Sequence, residues 1–402
     1  MGAPRARNRH WVGAVTAVAA AGLLATVTPS ALAASGSGEG ASRSGVYIVT
    51  LEQGTASTSA AGKTVATRYG TRIQHTYSAV LNGYAVRATA EQARKLAADP
   101  AVAKVVADER VRGDLGTRSA PSLGAAQTNP PWGLDRIDQK SLPLNKKYSP
   151  PASGGAGATV YVLDTGVRTS HKDFGGRAKS GWDFVQNDAK AQDGNGHGTH
   201  VAGTVAGAKY GVAKKAKIVA VRVLDDEGSG TLAQVIAGID WVTRHARKPA
   251  VANMSLAGPA NAQLDAAVRK SIAKGITYSI AAGNAGEPAT NWSPGRVKEA
   301  ITVGASDRRD KRPSFSNYGG RLDLFAPGVA IRSASHLSDT GSVVFDGTSM
   351  AAPHVAGAAA LYLGTHPTAK PDKVSKALTD KAVKNKLSGI GSGSPNRLLQ
   401  VK

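Results

Sequence analysis

Apolar runs of strand length alternate with stretches of helical periodicity from residue 159 to the C-terminus. The strands are predicted at residues 159–163, 218–224, 251–255, 276–281 and 301–303, and the helices at 199–208, 231–245, 261–274, 350–363 and 371–382. Such alternation is typical of an α/β fold, in which helices cover both faces of a mostly parallel sheet. Ligands of these sheets bind beyond the carboxyl ends of the strands. Asp164 follows one predicted strand, Ser255 ends another and Asn284 lies three residues beyond a third, so all three are candidate site residues.

A different pattern covers residues 45–112. Strand-like runs at 46–51 and 102–106 enclose a helical stretch at 60–69, two strand-like runs between 73 and 89, and a second helix that ends at residue 98. Asn82-Gly83 is a hairpin dipeptide, and Thr89 with Gln92 forms a capping-box pattern. The order β-α-β-β-α-β predicts a small α+β ferredoxin-like plait. Residues 113–124 are rich in Gly, Ser, Ala and Pro and are predicted to be an exposed linker.

The N-terminus has the pattern of a secretory signal peptide. Arg5, Arg7 and Arg9 precede an apolar run at residues 11–27, and small residues follow at 31–34. We therefore predict a signal peptide at residues 1–34, cleaved near Ala33 or Ala34. The alternative, a membrane anchor, requires a longer apolar span than these roughly 17 residues. The mature protein is expected to be secreted and extracellular, with no membrane association.

Composition adds two constraints. The 402 residues include no cysteine, but a mature domain of this size buries enough apolar surface without disulfides. The net charge is +22, and residues 125–402 hold 36 basic and 21 acidic side chains, an excess of +15. The basic residues are scattered and lack the interleaved aromatic residues that stack on bases. A solvated basic surface is therefore expected, without a nucleic-acid partner.

Three short segments contain an acid, an imidazole and a hydroxyl, in that order. Asp164 lies in YVLDTG (161–166), His197 in DGNGHGTH (193–200) and Ser349 in GTSMA (347–351). Serine is a weak nucleophile that needs a base, and the base needs an acid to hold its tautomer. The order Asp, His, Ser occurs in one class of serine hydrolase and excludes the α/β-hydrolase order.

Two further residues complete the chemical reading. Asn284 ends the segment IAAGN (280–284), where its amide and the Ser349 backbone N–H are expected to form an oxyanion hole. His200 lies three residues after His197, but the zinc-protease motif His-Glu-x-x-His is not present. We therefore expect His200 to be structural.

These motifs resemble those of the subtilisin-like serine proteases, and among them the proteinase K branch. The resemblance also includes AAQTN (125–129), GVAKK (211–215), VLDD (223–226) and SFSNYG (314–319), and runs from about Ala125 to the C-terminus. It implies a subtilisin-like three-layer fold for residues 125–402, with Asp164, His197 and Ser349 as the catalytic triad. The plait and linker, residues 35–124, then resemble an inhibitor-type propeptide that assists folding and is removed near Gly124–Ala125.

The resemblance also implies how substrate is held. An extended peptide lies between two edge segments by strand addition, next to a primary pocket. The implied substrate-binding residues are Leu224, Gly228, Ser229, Gly230, Ser255, Leu256, Ala257, Gly258, Ala281, Ala282 and Gly283. The pocket walls carry no charge, so broad specificity with a preference for apolar or aromatic residues is expected. Ala257 stands where the relatives have Gly, which narrows the rim.

The family implies no cofactor for catalysis, but it does imply a structural calcium site. Asp323 matches its carboxylate, and the backbone oxygens of Lys298 and Ala300 would complete it. Lys298 replaces a non-basic residue, and the disulfides and free thiol of many proteinase K relatives are missing here.

We therefore expect a monomeric secreted serine endopeptidase that acts on polypeptides and is made as a self-processing zymogen. Its own propeptide is the expected intramolecular inhibitor. The alternatives are a catalytically silent binding protein on the same fold, an esterase or lipase, and an anion-binding surface protein.

Overall fold

The computed structural model describes residues 44–113 and 130–402, together with Gly2. The predicted signal peptide, most of the predicted linker and the predicted mature N-terminus at Ala125 lie outside these residues. The described residues 44–113 and 130–402 form one compact unit. Within the described ranges, every helix is too short or too polar to cross a bilayer.

The first part of this unit is the predicted plait. Its elements are β1 (Gly45–Leu51), α1 (Ala60–Thr67), β2 (Arg72–Tyr77), β3 (Gly83–Ala88), α2 (Ala90–Ala97) and β4 (Val102–Ala107). The strand order is β2-β3-β1-β4, and the β1–β3, β1–β4 and β2–β3 pairs are antiparallel. The capping box of α2 is present, since Thr89 and Gln92 exchange hydrogen bonds. The predicted element order is therefore confirmed.

A short strand, β5 (Arg110–Gly113), follows the plait. After the undescribed residues the chain forms a large α/β part, which the predicted alternation anticipates. Its elements are α3 (Trp132–Ile137), β6 (Thr159–Asp164), β7 (Ala178–Asp183), α4 (His197–Ala206), β8 (Lys217–Arg222), β9 (Ser229–Thr231), α5 (Leu232–His245), β10 (Ala250–Met254), β11 (Leu256–Pro259), α6 (Ala262–Ala273), β12 (Thr277–Ala281), β13 (Trp292–Ser293), β14 (Ile301–Ser306), β15 (Leu324–Pro327), β16 (Ile331–Ala334), β17 (Ser342–Phe345), α7 (Thr348–Leu363), α8 (Pro371–Lys381), β18 (Val383–Lys384) and β19 (Arg397–Leu398).

The central sheet has nine strands in the order β18-β19-β15-β14-β12-β10-β6-β8-β7. All neighbouring pairs are parallel except β18–β19. Successive residues of β6 face opposite sides of the sheet. Val160 and Val162 pack in one core with α4 and α7, whereas Tyr161 and Leu163 pack in the other with α5 and α6. Helices thus cover both faces, which confirms the predicted three-layer α/β fold.

Helix α4 begins earlier than predicted. Its first residue is His197, two positions before the predicted start, and Gly196 precedes it with φ +108°. Glycine adopts this left-handed conformation without the strain that a Cβ would cause. The early start places the imidazole of His197 in the first turn of a helix.

Candidate active site

Asp164 and His197 are joined by a hydrogen bond of 2.8 Å between Oδ1 of the carboxylate and Nδ1 of the ring. Both side chains are buried. Asp164 is the last residue of β6, and α4 approaches it closely because Gly198 has no side chain. A Cβ at Gly198 would lie 2.0 Å from the carbonyl oxygen of Gly166. The contact holds the ring with Nδ1 as donor, so Nε2 is its acceptor atom.

The loop before His197 is organised by a residue to which the sequence analysis assigns no role. Asp193 is buried, and its Oδ1 accepts hydrogen bonds from Thr165 Oγ1 and from the backbone N–H groups of Asn195 and Gly196, at 2.8–2.9 Å. Its Oδ2 accepts from both N and Oγ1 of Thr199. Thr165 Oγ1 in turn accepts from Gly198 N at 3.0 Å. One carboxylate therefore ties the His197 helix to the Asp164 loop.

Ser349 is the second residue of α7 and is buried. Its Oγ donates to the carbonyl oxygen of Ser255 at 3.2 Å, and Ser255 Oγ donates to the carbonyl oxygen of Ser349 at 2.8 Å. Ser255 directly follows β10, which is the sheet neighbour of β6. Asp164, His197 and Ser349 therefore lie at the carboxyl ends of two adjacent strands, where the sequence places a site.

Asn284 is held by its amide oxygen. Oδ1 accepts from Thr348 N at 2.8 Å and from Thr348 Oγ1 at 2.9 Å. Because a backbone N–H needs an oxygen opposite it, these contacts define which end of the amide is Nδ2. Thr348 precedes Ser349, so the amide of Asn284 is attached to the residue beside the hydroxyl. The sequence motif includes Thr348 without indicating this function.

Strand β5 of the N-terminal part lies between the two predicted edge segments. It pairs antiparallel with β11, Gly113 opposite Leu256 and Arg112 opposite Ala257, and antiparallel with β9, Arg112 opposite Ser229. The N–H of Gly113 also donates to the carbonyl oxygen of Gly228 at 2.7 Å. Six of the eleven predicted substrate-binding residues contact or pair with this strand: Gly228, Ser229, Gly230, Leu256, Ala257 and Gly258.

The remaining predicted residues lie behind these edges. Leu224 is buried, and a Cβ at Gly230 would lie 3.0 Å from it. Ala281 and Ala282 are buried, and Gly283 follows them with φ +102°. Asn317 Nδ2 donates to the carbonyl oxygen of Ala282, which ties this segment to the core.

A cavity of about 500 Å³ opens beside β5 and is lined by Arg112, Gly113, Glu227, Gly228, Ser229, Ala257 and Trp292. Glu227 and Trp292 were not predicted as lining residues. A larger cavity of about 900 Å³ lies at the amino ends of β10 and β12, against residues 248–250 and 273–275. No triad residue lines it, so its size does not make it the site.

The other histidines of this region are structural. His200 Nε2 contacts the carbonyl oxygen of Ile331 at 2.8 Å, and burial lowers the pKa of His200 to about 3. His354 Nδ1 contacts the carbonyl oxygen of Met350, and burial lowers the pKa of His354 to about 4. Across the described ranges, no three His, Cys, Asp or Glu side chains cluster as metal ligands.

The predicted calcium ligands are near each other, but a cationic side chain contacts two of them. Arg321 Nη2 lies 3.4 Å from Asp323 Oδ2 and 3.5 Å from the carbonyl oxygen of Lys298. Ala300 is buried and directly precedes β14.

Comparison with known proteins gives two family matches. Residues 155–397 match the subtilase family, and residues 46–114 match the peptidase inhibitor I9 family. An extracellular serine proteinase of Thermus sp. is 50% identical over 82% of this chain and 78% of its own length. An alkaline serine exoprotease A of Vibrio alginolyticus is 46% identical over 82% of this chain and 60% of its own length. The crystal structure of a cold-adapted subtilisin-like serine proteinase is 50% identical, covers 68% of this chain and 99% of that one, and has a TM-score of 0.67.

Proposed function

The chain belongs to the subtilase family and is a serine endopeptidase, and from this premise we propose that Ser349, His197 and Asp164 carry the reaction in a secreted, self-processing zymogen. The hydrogen bond of 2.8 Å between Asp164 Oδ1 and His197 Nδ1 is the observation that carries the proposal. It leaves Nε2 as the ring atom that can accept a proton.

In the first half of the reaction, Ser349 Oγ attacks the carbonyl carbon of the scissile peptide bond while His197 Nε2 takes the hydroxyl proton. The tetrahedral intermediate collapses, the C–N bond breaks, and His197 gives this proton to the leaving amine. The product is an acyl-enzyme ester on Ser349. In the second half, water attacks the ester, His197 takes the water proton and returns it to Ser349, and the acid leaves. Asp164 keeps the imidazole in the required tautomer and stabilises the imidazolium.

Negative charge develops on the substrate carbonyl oxygen in both tetrahedral intermediates. Asn284 Nδ2 and the N–H of Ser349 are the proposed donors to this oxygen. Thr348 orients the amide of Asn284 before substrate arrives, so no reorganisation is needed during the reaction. Ser349 also lies in the first turn of α7, where the helix dipole favours negative charge.

We propose broad specificity with an apolar or aromatic preference at the residue before the scissile bond. Ladder hydrogen bonds from β9 and β11 to a peptide backbone are independent of its sequence, which supports broad tolerance. Ala281, Ala282 and Gly283 carry no charge, which supports the apolar preference.

The described N-terminal part supports autoinhibition, because β5 takes the position of a substrate strand. The plait is also anchored at a distance from the cleft. Asp240 Oδ1, on α5, accepts from the backbone N–H groups of residues 78, 79 and 80 at 2.7–3.0 Å. Asp108 Oδ1 accepts from Ala233 N at the start of the same helix. Both contacts would align the plait and α5, which is consistent with an inhibitor that also assists folding.

The remaining parts of the proposal are a signal peptide at 1–34, a propeptide at 35–124, a catalytic domain at 125–402, polypeptide substrates, no nucleic-acid partner and a monomeric enzyme. Catalysis needs no cofactor. Calcium bound at Asp323 is not included, since Arg321 lies against two of its three predicted ligand atoms.

Expression of residues 35–402 with and without Ser349→Ala tests the proposal. The parent should lose its propeptide and digest casein, whereas the variant should stay at full length and digest none. Ser375→Ala, on α8 and remote from the site, is the control and should behave as the parent. A Ser349→Ala protein that matures and digests casein would contradict the mechanism. A parent that folds but cleaves neither itself nor casein would favour the silent binding protein.

A further inference from the structure

Arg321 and Asp323 lie on either side of Leu322, where a turn leads into β15. The N–H of Asp323 donates to the carbonyl oxygen of Thr302 at 2.9 Å, so the chain here already follows β14 before β15 begins. Leu322, between them, is buried in the core. The guanidinium of Arg321 and the carboxylate of Asp323 lie together beside the carbonyl oxygen of Lys298.

The guanidinium of Arg321 contacts two of the three groups that were predicted to bind calcium. Nη2 of Arg321 lies 3.4 Å from Asp323 Oδ2 and 3.5 Å from the carbonyl oxygen of Lys298. Asp323 Oδ2 is further engaged by the N–H of Thr302 at 2.8 Å. The two side chains are only 17% and 20% exposed, so water screens the pair weakly.

The charges around Asp323 also oppose a metal ion. Burial raises the pKa of Asp323, and the positive charges of Arg321 and Arg397 act on this carboxylate in the opposite direction. Calcium binds six to eight oxygens, and its affinity rises with the number of carboxylates among them. A single carboxylate that faces two arginines, Arg321 and Arg397, does not fit that requirement.

We propose that the guanidinium of Arg321 is the resident cation of this site and takes the place of calcium. The carboxylate of Asp323 is then neutralised within the chain, and the packing of residues 298–300 against β14 and β15 does not depend on the calcium concentration. This property of the fold is independent of the catalytic roles proposed above.

The test compares the calcium response of the melting temperature in four full-length proteins, all carrying Ser349→Ala so that digestion does not contribute. They are the parent, Asp323→Asn, Arg321→Gln and the double variant. Each is melted in excess chelator and in millimolar CaCl₂. Calcium should change the melting temperature of the parent and of Asp323→Asn by the same amount, because the proposal assigns any calcium response of the parent to a site other than Asp323. Arg321→Gln should show an added rise in calcium, and the double variant should lose that rise.

Arg308→Ala removes an exposed arginine of the neighbouring loop and should respond as the parent. If Arg321→Gln fails to fold, Arg321→Ala replaces it. If neither Arg321 variant folds, the comparison of the calcium response of the parent with that of Asp323→Asn still tests the proposal. A calcium response of the parent that Asp323→Asn abolishes would overturn the proposal. So would an Arg321→Gln protein that folds and responds to calcium no more than the parent.

Discussion

Thr348 donates two hydrogen bonds to a single atom, Oδ1 of Asn284, one from its backbone N–H and one from its hydroxyl. Its hydroxyl oxygen also accepts from Gly283 N at 3.1 Å. Thr348 therefore joins the segment that carries the proposed oxyanion donor to the helix that carries Ser349, across 64 residues of sequence.

Replacing Thr348 by Val should lower kcat about tenfold and leave KM nearly unchanged. The substitution removes the hydroxyl and with it two hydrogen bonds, the one donated to Asn284 Oδ1 and the one accepted from Gly283 N, each typically worth about 1 kcal/mol, and so loosens the amide of Asn284. Asn284→Ala should cost more, since it removes the donor itself; the loss for the equivalent donor in a subtilisin is about 10²–10³ in kcat. Steady-state kinetics on one peptide substrate measures both. A Thr348→Val enzyme with parental kcat would show that the threonine does not position Asn284.

Replacing Asp193 by Asn should lower both activity and stability. Five donors surround this carboxylate, and an amide would turn its NH₂ group toward one set of them, leaving buried donors unpaired at about 1–3 kcal/mol. We expect a lower melting temperature and a lower kcat, because His197 follows this loop. Asp380→Asn, at an exposed surface pair, is the matched control and should change neither. An Asp193→Asn enzyme with a lower melting temperature but a parental kcat would show that Asp193 stabilises the fold without positioning His197 for catalysis.

Acidification should destabilise the full-length chain through the buried His200 and His354 and the half-buried His75. Burial lowers the pKa of His75 to about 4, and those of His354 and His200 to about 4 and 3. Above the unfolded pKa of about 6.5, a histidine is neutral in both states and the stability of the folded state is fully present. As the pH drops from about 6.5 toward the lower pKa of the folded state, the ring takes up a proton only in the unfolded state. The free energy of unfolding then falls by roughly 1.4 kcal/mol per pH unit for each fully buried ring.

His75 allows this effect to be localised. It belongs to β2 of the plait and packs edge-on to the ring of Phe184. It also lines a cavity with Arg244 and His245 of α5, and no Asp or Glu is among the described residues that line this cavity. The protonated form of His75 therefore has no carboxylate to stabilise it there. In the Ser349→Ala background, His75→Phe should lose less melting temperature between pH 7 and 5 than the parent. Equal losses in the two proteins would exclude His75 as a contributor.

Replacing Asp240 by Ala should release the plait. Three consecutive backbone N–H groups lose their acceptor. The hydrogen bonds that remain run from Ala233 N to Asp108, from Leu232 N to the carbonyl oxygen of Glu109, and from the hydroxyl of Tyr77 to the carbonyl oxygen of Ala233. We expect the inhibition by the cut propeptide to weaken at least tenfold, measured as the delay before activity appears after maturation. Asp380→Ala, at an exposed surface pair on α8, should leave the delay unchanged, and an equal shortening in both would argue against a specific anchor.

The register of β5 predicts where the first self-cleavage falls. Gly113 pairs with Leu256. The residue before Leu256 in the chain is Ser255, whose carbonyl oxygen accepts a hydrogen bond from Ser349 Oγ. We therefore expect an early product that begins soon after Gly113, followed by trimming to the predicted mature N-terminus near Ala125. N-terminal sequencing of samples taken over time distinguishes the two cuts. A single product that begins near Ala125 from the earliest time would contradict this register.

Five of the eight parallel strands of the described sheet were predicted, because strands buried on both faces read as continuous apolar runs, whereas β15 and β19 are too short for such a run. Strand β7 was not predicted, since only its first and last residues are buried and its pattern lacks alternation. The short strands β9, β11 and β13 are defined by the chain that pairs with them rather than by their own residues. The triad residues and Asn284 each lie within a short sequence motif, so the sequence alone was sufficient to predict them as site residues. The bonds from Thr348 to Asn284, from Asp193 to Thr165 and from Arg321 to Lys298 join distant segments, and nothing local indicates them.

Strand β5 is held in the cleft by backbone hydrogen bonds that any peptide can form. While the plait and the catalytic part share one chain, the local concentration of this strand is set by the tether and is insensitive to the surrounding volume. After cleavage the plait becomes an ordinary bimolecular ligand, and its occupancy falls with dilution. Release into a large volume would then itself act as the activating signal, and crowding at the site of synthesis would delay it.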